Sequence, residues 1–343
     1  MASDERELAG FIRRLPKAEL HLHLEGTILP ATLVELSERH DAKALTLSEA
    51  EALYQFTDFS GFLMAFKAVC QQLVRPEDYE LAAWRMMERL AGQGVVHAEV
   101  YVSVGVVYHW SASEAEEPFE PIFAGLEHAR LRAEQELGLT VYWIFDAVRH
   151  FGAAEAERVF RKAARMRAEF PSIVGIGLGG DERRTASEPF RALFAEAAGA
   201  GLRLTNHAGE TTGPEAIREA LSIGSERIGH SLSAIQDSDL MLELKERQIP
   251  IELNPTSNVR TGTCPSLAGH PMRRYFDAGL LVTLNSDDPA FFGSDLGNEY
   301  LLAHREQGFT REELRELARN SIRASFLPPR EKTAWLDRID STE

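Results

Sequence analysis

The chain has 343 residues, 44% of them apolar, and its 37 basic and 53 acidic side chains give a net charge of −16. This length suits one elaborated α/β barrel, and an acidic chain without a Lys/Arg block argues against a nucleic-acid or membrane-surface partner. With two cysteines, Cys70 and Cys264, the chain can form neither a disulfide framework nor a thiolate metal cluster. No apolar run is long enough to span a bilayer, and residues 1–14 lack the apolar core of a signal peptide. We therefore expect one cytoplasmic domain covering residues 1–343.

Short apolar segments alternate with amphipathic stretches along the chain. The strand candidates are residues 19–24, 95–104, 140–148, 173–178, 202–206, 227–232, 250–253 and 280–285. Stretches such as 188–198 and 239–247 have helical periodicity, and Gly or Pro marks the joints between segments. Such alternation predicts a parallel sheet, and eight strands predict a closed (β/α)8 barrel of the TIM type.

Two segments exceed a minimal barrel. Residues 30–94, after the first strand, contain several helices and an aromatic run with Phe59, Phe62 and Phe66, and further helices follow Asp288 at the C-terminus. Active sites of such barrels form on the side that follows the strands. The three phenylalanines are therefore candidates for the wall of a pocket, although ordinary core contacts would explain them equally well.

Four side chains form a candidate metal site. His21 and His23 alternate on the first strand, so both project from one face. His207 and Asp287 follow the fifth and eighth strands, and a barrel gathers the ends of its strands around one mouth. Three imidazoles and one carboxylate, with a vacant position for water, suit one Zn²⁺ ion per chain.

Three further side chains at the same strand ends are candidates for the chemistry. Glu210 lies three residues after His207 and can protonate a ring nitrogen while hydroxide attacks the adjacent carbon. His230, at the end of the sixth strand, is placed to orient that hydroxide and to stabilise the developing alkoxide. Asp288 is free to hydrogen-bond the substrate, although an acidic pair before Pro289 is also typical of a helix cap or turn.

Several other signatures are absent from the sequence. It contains no H-E-x-x-H, no H-x-E with P-C-x-x-C, no G-x-S-x-G and no Walker A motif. The glycine-rich residues 175–180 lack the spacing and following helix of a dinucleotide fingerprint. We interpret them as a strand that ends in a loop whose backbone can approach a flat ligand.

The order of these motifs resembles the adenosine deaminase family of the amidohydrolase superfamily over nearly the whole chain. The motifs that carry the resemblance are HLHLEG at residues 21–26, GDE at 180–182, HAGE at 207–210, IGH at 228–230, PTSN at 255–258 and NSDDP at 285–289. The resemblance implies zinc binding by His21, His23, His207 and Asp287. It also implies proton donation to purine N1 by Glu210, assistance to the hydroxide by His230, and substrate contacts through His23, Glu25, Asp288 at N7 and the Gly180 backbone at N3.

One departure from that family bears on the substrate. Glu25 stands where adenosine deaminases usually carry Asp, at the residue that meets the ribose 5′-hydroxyl, and we expect its carboxylate at the pocket rim. Residues 98–107 and 179–182 are most similar to the branch that deaminates 6-aminodeoxyfutalosine in menaquinone biosynthesis. Lys67 or Arg183 is a candidate partner for the carboxylate of that purine nucleoside. Adenosine and then free adenine are the alternative substrates.

Two other classes of function stay open at this stage. Phosphotriester or cyclic-amide hydrolysis in related barrels uses two metals bridged by a carboxylated lysine, whereas Gly179 and Gly180 end the fourth strand here. A non-catalytic binding protein has no need of the full set of candidate ligands and acid–base residues. The sequence does not determine the oligomeric state.

Overall fold

A computed structural model describes residues 2–41, 43–110 and 119–343 of the chain. Within these ranges, none of the helices combines the length and the apolar character that crossing a membrane requires.

Eight parallel strands form one sheet in which each strand pairs with the next along the chain. The strands are β1 (Lys17–His23), β2 (Val95–Val102), β3 (Thr140–Val148), β4 (Ile173–Gly179), β5 (Arg203–Ala208), β6 (Arg227–His230), β7 (Ile251–Leu253) and β8 (Val282–Leu284). The predicted (β/α)8 barrel is therefore confirmed.

Helices separate the strands and surround the sheet. They are α1 (Ala2–Arg14), α2 (Pro30–His40), α3 (Leu47–Leu53), α4 (Phe59–Cys70), α5 (Pro76–Gly92), α6 (Val104–Trp110), α7 (Phe119–Leu137), α8 (Ala153–Met166), α9 (Arg191–Gly199), α10 (Pro214–Ser222), α11 (Ser238–Glu246), α12 (Pro255–Arg260), α13 (Met272–Asp277), α14 (Pro289–Phe292), α15 (Leu296–Gln307), α16 (Arg311–Ala324) and α17 (Pro329–Asp340). The expected additional helices are present, α2 to α5 after β1 and α14 to α17 after Asp288.

Hydrogen bonds between the segment after β8 and the first strand close the barrel. The His23 amide donates to the Asp287 carbonyl at 3.0 Å, and the Asp287 amide donates to the His21 carbonyl at 3.1 Å. The Asn285 side-chain oxygen accepts from the amides of Leu20 and His21, at 2.9 and 3.2 Å. Closure therefore places Asp287, from the far end of the chain, directly beside the two histidines of β1.

Two predicted strands end two residues earlier than expected. The second strand was expected to reach residue 104, but the Ser103 amide donates to the Glu25 carboxylate at 3.0 Å and helix α6 begins at Val104. The sixth strand was expected to reach Leu232, but Ser231 has a left-handed φ of 50°, and a short 3-10 helix follows. In both places the chain leaves the sheet at the mouth of the barrel.

Three buried charged side chains form a cluster that connects to the site through Glu252. Arg227 on β6 pairs with Glu99 on β2, and its Nε lies 2.5 Å from Glu252 Oε1 on β7. All three side chains are essentially inaccessible to solvent. Because buried charges are tolerated when they are paired and hydrogen-bonded, this cluster forms a charged floor that links three strands.

Candidate active site

The four predicted metal ligands converge at the carboxyl ends of the strands. Asp287 Oδ1 lies 3.5 Å from Nε2 of His21 and 3.5 Å from Nε2 of His23. The Nε2 atoms of His23 and His207 are 3.3 Å apart. The ligand atoms of His21, His23 and Asp287 lie within 4.8 Å of one another, as do those of His21, His207 and His230. Donor atoms this close can share one cation.

Glu252 on β7 sets the orientation of the first of these imidazoles. Its Oε2 lies 2.7 Å from His21 Nδ1 and also accepts a hydrogen bond from the Tyr101 hydroxyl at 3.3 Å. A carboxylate at Nδ1 holds the proton there and leaves Nε2 free to bind a cation. His21 Nε2 is buried and has no hydrogen-bond partner among the described residues. An unpartnered imidazole nitrogen among nitrogen and oxygen donors fits a zinc ion.

Asp287 has an unusual backbone that directs its carboxylate into the site. Its φ of 64° lies in the left-handed region, which few non-glycine residues adopt. The Ser257 hydroxyl donates to Asp287 Oδ2 at 2.6 Å, while Oδ1 is the oxygen nearest to the β1 histidines. The two carboxylate oxygens therefore have different partners, and the side chain is held in one orientation.

Glu182 holds the loop that carries the predicted proton donor. Its carboxylate accepts from the amides of Gly209, Glu210 and Thr211 at 2.8 to 3.1 Å, and from the Thr212 hydroxyl at 2.6 Å. Burial, together with the nearby Asp287 and Glu182 carboxylates, raises the pKa of Glu210 well above its usual range. This shift favours the carboxylic acid form, which is the form that a proton donor needs.

His230 lies between the predicted proton donor and the predicted metal ligands. Its Nδ1 is 3.8 Å from Glu210 Oε1, and its Nε2 is 4.0 Å from Asp287 Oδ2. The imidazole is buried, and amide groups of Asn254 and Asn258 face Nδ1 at 3.3 and 2.9 Å. The residue is thus placed to contact both a substrate and the oxygen that attacks it.

Asp288 approaches the backbone of the loop after β1 very closely. A Cβ atom on Gly26 would lie 1.9 Å from Asp288 Oδ1, so only glycine leaves room for this carboxyl group. The same Oδ1 is buried without a hydrogen-bond partner among the described residues. Burial and the adjacent Asp287 raise the pKa of Asp288 well above its usual range, which favours the protonated form that can donate a hydrogen bond.

These groups open into a cavity of about 540 Å³. Phe59, Phe62 and Phe66 of α4 line one side, which confirms the expected aromatic pocket wall. On the other sides the cavity is lined by Val148, His150, Phe151, Gly179, Gly180 and Arg184. His23, His207, Glu210, His230, Asp287 and Asp288 line its base. Apart from His21 and Glu25, the predicted site residues therefore share one pocket with an apolar wall.

The structure contradicts one expectation about the pocket rim and bears out another in part. Glu25 is buried, and its two carboxylate oxygens accept from the Ser103 amide at 3.0 Å and hydroxyl at 3.1 Å, so that Ser103 and not Glu25 lines the cavity. Of the two expected cations, Lys67 lines the cavity, but Arg184 takes the place expected for Arg183. Both arginines lie in a turn in which the Arg184 amide donates to the Asp181 carbonyl at 3.2 Å.

Comparisons with known proteins agree with this arrangement. A family model described as adenosine deaminase matches residues 16–342. The chain is 40% identical over 339 residues to the aminodeoxyfutalosine deaminase of Streptomyces coelicolor, covering 98% of this chain and 86% of that protein.

Two solved structures have the same fold. An adenine deaminase from Arthrobacter aurescens superposes with a TM-score of 0.89 at 32% identity, covering 95% of this chain and 98% of that one. An amidohydrolase from Burkholderia ambifaria with bound zinc superposes with a TM-score of 0.88 at 26% identity, covering 97% and 92% of the two chains.

Proposed function

The chain belongs to the adenosine deaminase family, and on this premise we propose that it removes the 6-amino group of 6-aminodeoxyfutalosine in a zinc-dependent hydrolysis. Water adds at C6 of the purine and ammonia leaves, which gives a futalosine-type product for menaquinone biosynthesis. The observation that carries the proposal is the convergence of four metal donors beside Glu210, whose pKa is raised, at one cavity.

His21, His23, His207 and Asp287 are proposed to hold one zinc ion. Zinc bound by three imidazoles and a carboxylate lowers the pKa of a water molecule to about 7 and so supplies hydroxide at neutral pH. The orphaned Nε2 of His21 supports this assignment, as does the zinc bound in the structurally similar amidohydrolase.

The remaining groups are proposed to bind and protonate the purine. Glu210 donates its proton to N1, which makes C6 a better electrophile, while His230 stabilises the charge on the attacking oxygen. The protonated Asp288 donates a hydrogen bond to N7, and the Gly180 amide and His23 border the base. Gly180 has a φ of 90°, so its backbone can approach a flat ligand.

The rest of the cavity supports a substrate with an extended, anionic 5′ group. A purine occupies only part of about 540 Å³, and the aromatic wall of α4 suits a second ring. In a chain whose net charge is −16, the cavity nonetheless includes the cations Lys67 and Arg184. Aminodeoxyfutalosine carries a benzoate at its 5′ end, whereas adenosine and adenine are neutral and smaller.

Side-by-side kinetics on adenine, adenosine and aminodeoxyfutalosine test the substrate, with loss of the 6-aminopurine absorbance as the readout. We expect the highest kcat/KM for aminodeoxyfutalosine, then adenosine, with free adenine poorest because it forgoes the remote binding energy. Equal or better efficiency on adenine would instead favour the activity named for the Arthrobacter relative.

A matched pair of variants tests the anionic contact. Arg184→Gln should lower kcat/KM for aminodeoxyfutalosine about two- to fivefold, the scale of an exposed ion pair, and leave adenosine unaffected. Arg183→Gln removes the same charge one residue away and outside the cavity lining, so it should change neither substrate.

We also propose that residues 1–343 act as one domain. A single continuous cluster of buried apolar side chains extends from Phe11 in α1 to Ile339 in α17. Separate fragments would each lose part of that core.

A further inference from the structure

A chain of hydrogen bonds runs from the back of His230 to a histidine outside the pocket. His230 Nδ1 is 2.9 Å from Asn258 Nδ2, and Asn258 Oδ1 is 3.1 Å from His270 Nε2. His270 Nδ1 is 3.2 Å from the Met272 amide nitrogen. His270 is buried in the segment between α12 and α13 and does not line the cavity.

The direction of each of these hydrogen bonds follows from the Met272 amide, at the end farthest from His230. A backbone amide can only donate, so His270 Nδ1 accepts from Met272 and the ring proton of the neutral imidazole is on Nε2. His270 Nε2–H then donates to the Asn258 side-chain oxygen, which turns the Asn258 amide nitrogen toward His230. Burial lowers the pKa of His270 to about 3, with His230 adding a smaller effect, so His270 stays neutral.

A second amide reaches the same nitrogen independently. Asn254 Nδ2 donates to the Glu252 carbonyl at 3.4 Å, which orients that amide, and it lies 3.3 Å from His230 Nδ1. Two amide donors therefore converge on Nδ1 of His230. A nitrogen that accepts hydrogen bonds carries no proton, so the proton of the neutral His230 ring is on Nε2.

We propose that His270 is a positioning residue which, through Asn258, fixes His230 in the Nε2–H form. This inference rests on the proposed function and deepens it, because it assigns how His230 acts. In this form His230 Nε2, which faces the site, carries a proton. It can donate a hydrogen bond to the attacking oxygen but cannot accept a proton from it. His230 thus stabilises the charge on the attacking oxygen, and the general base is elsewhere.

The most direct test is the tautomer of His230 in the zinc-loaded protein. Imidazole ¹⁵N spectra distinguish protonated from bare ring nitrogens, and comparison with the His230→Asn spectrum identifies the signals of His230. We expect a proton on Nε2 and a bare Nδ1. A wild-type spectrum with the proton on Nδ1 would overturn the inference, whatever the substrate of the enzyme.

Variants of His270 test the connection through Asn258. His270→Phe keeps an aromatic ring but removes the donor, so Asn258 can turn its oxygen toward His230 and the Nδ1–H form should gain population. We expect kcat to fall about ten- to a hundredfold, the usual effect of losing an outer hydrogen-bond partner, with KM and zinc content little changed. His270→Gln retains an N–H donor, so it should restore part of the Nε2–H population of His230 and part of kcat.

Thr263→Val is the matched control. In the wild type the Thr263 hydroxyl donates to the backbone carbonyl of Asn258 at 3.1 Å. The variant removes this hydrogen bond to Asn258 but leaves the hydrogen bonds between His270, Asn258 and His230 in place. It should keep the wild-type tautomer and kcat. A His270→Phe protein with the wild-type tautomer, or a loss in Thr263→Val equal to that in His270→Phe, would show that His270 only supports the fold. If all purines fail as substrates while the tautomer is as expected, the proposed function is wrong instead.

Discussion

At the residue scale, the pKa values of two adjacent carboxyl groups are shifted in opposite directions because their surroundings differ. Burial by itself raises the pKa of Asp287, but His21 and the other nearby histidines outweigh it and hold that pKa well below its usual range. Burial and the charge of Asp287 raise the pKa of Asp288. Environments that separate the pKa values of neighbouring groups separate their roles, here a cation ligand and a hydrogen-bond donor.

Glu210 is the residue whose replacement should affect the chemistry most selectively. Glu210→Gln keeps the size and the amide contact to Glu182 but removes the proton that is transferred. Turnover should fall at least about a hundredfold, the scale of general acid–base groups, with unchanged zinc content. Near-normal turnover in Glu210→Gln, measured beside a Glu188→Gln control at an exposed site, would mean that another group protonates the purine.

The sequence predicts the side chains that converge at the site far better than the residues that hold them. His21, His23 and Asp287 stand in short motifs at strand ends, where a barrel collects side chains. Glu252 has no such signal beyond one acidic residue in a short apolar strand. Its Arg227 partner lies on another strand, and only the closed barrel brings the two together.

At the scale of elements, the buried Lys17 joins α1 to the start of β1 and the end of α5. Its ammonium group donates to the carbonyls of Ile12, Leu15 and Gln93 at 2.8, 3.1 and 2.5 Å. The Ile12 carbonyl lies in the last turn of α1, where helix carbonyls have no partner within the helix. One side chain therefore supplies the hydrogen bonds for three chain segments.

Replacing this lysine should cost more stability than its size suggests. Lys17→Met leaves buried carbonyls without donors, so the free energy of unfolding should fall by roughly 3 kcal/mol, as measured by urea denaturation. Lys332→Met is the control, because its ammonium group donates to a single carbonyl, that of Arg323, at the surface, and the loss should stay below about 1 kcal/mol. Equal losses in both variants would contradict the proposed role of Lys17.

The boundaries of elements were harder to predict than their existence. The eight strands alternate with helices as the periodicity indicates, but β2 and β6 end at Val102 and His230. Ser103 ends the first because it bonds to Glu25, and left-handed Ser231 ends the second. Neither a side-chain contact across the barrel nor a left-handed serine has a local signal in the sequence.

At the scale of the whole molecule, barrel closure makes the site. The ligand candidates come from residues as far apart as His21 and Asp287, and the hydrogen bonds between β1 and the segment after β8 bring them within 3.5 Å. Gly229 contributes through the absence of a side chain, since a Cβ there would lie 2.7 Å from the His21 ring. The site is therefore a property of the closed barrel and of no single motif.

The position of the metal tests this account most directly. A crystal structure measured at the zinc absorption edge should show one anomalous peak per chain, at about 2.0–2.2 Å from donors of His21, His23, His207 and Asp287. His21 and His207 also form a close group with His230, so a metal ion bound by these three histidines is the alternative outcome. A peak bound by His230 in place of His23 and Asp287, or two peaks, would contradict the proposed mononuclear site and the role of His230.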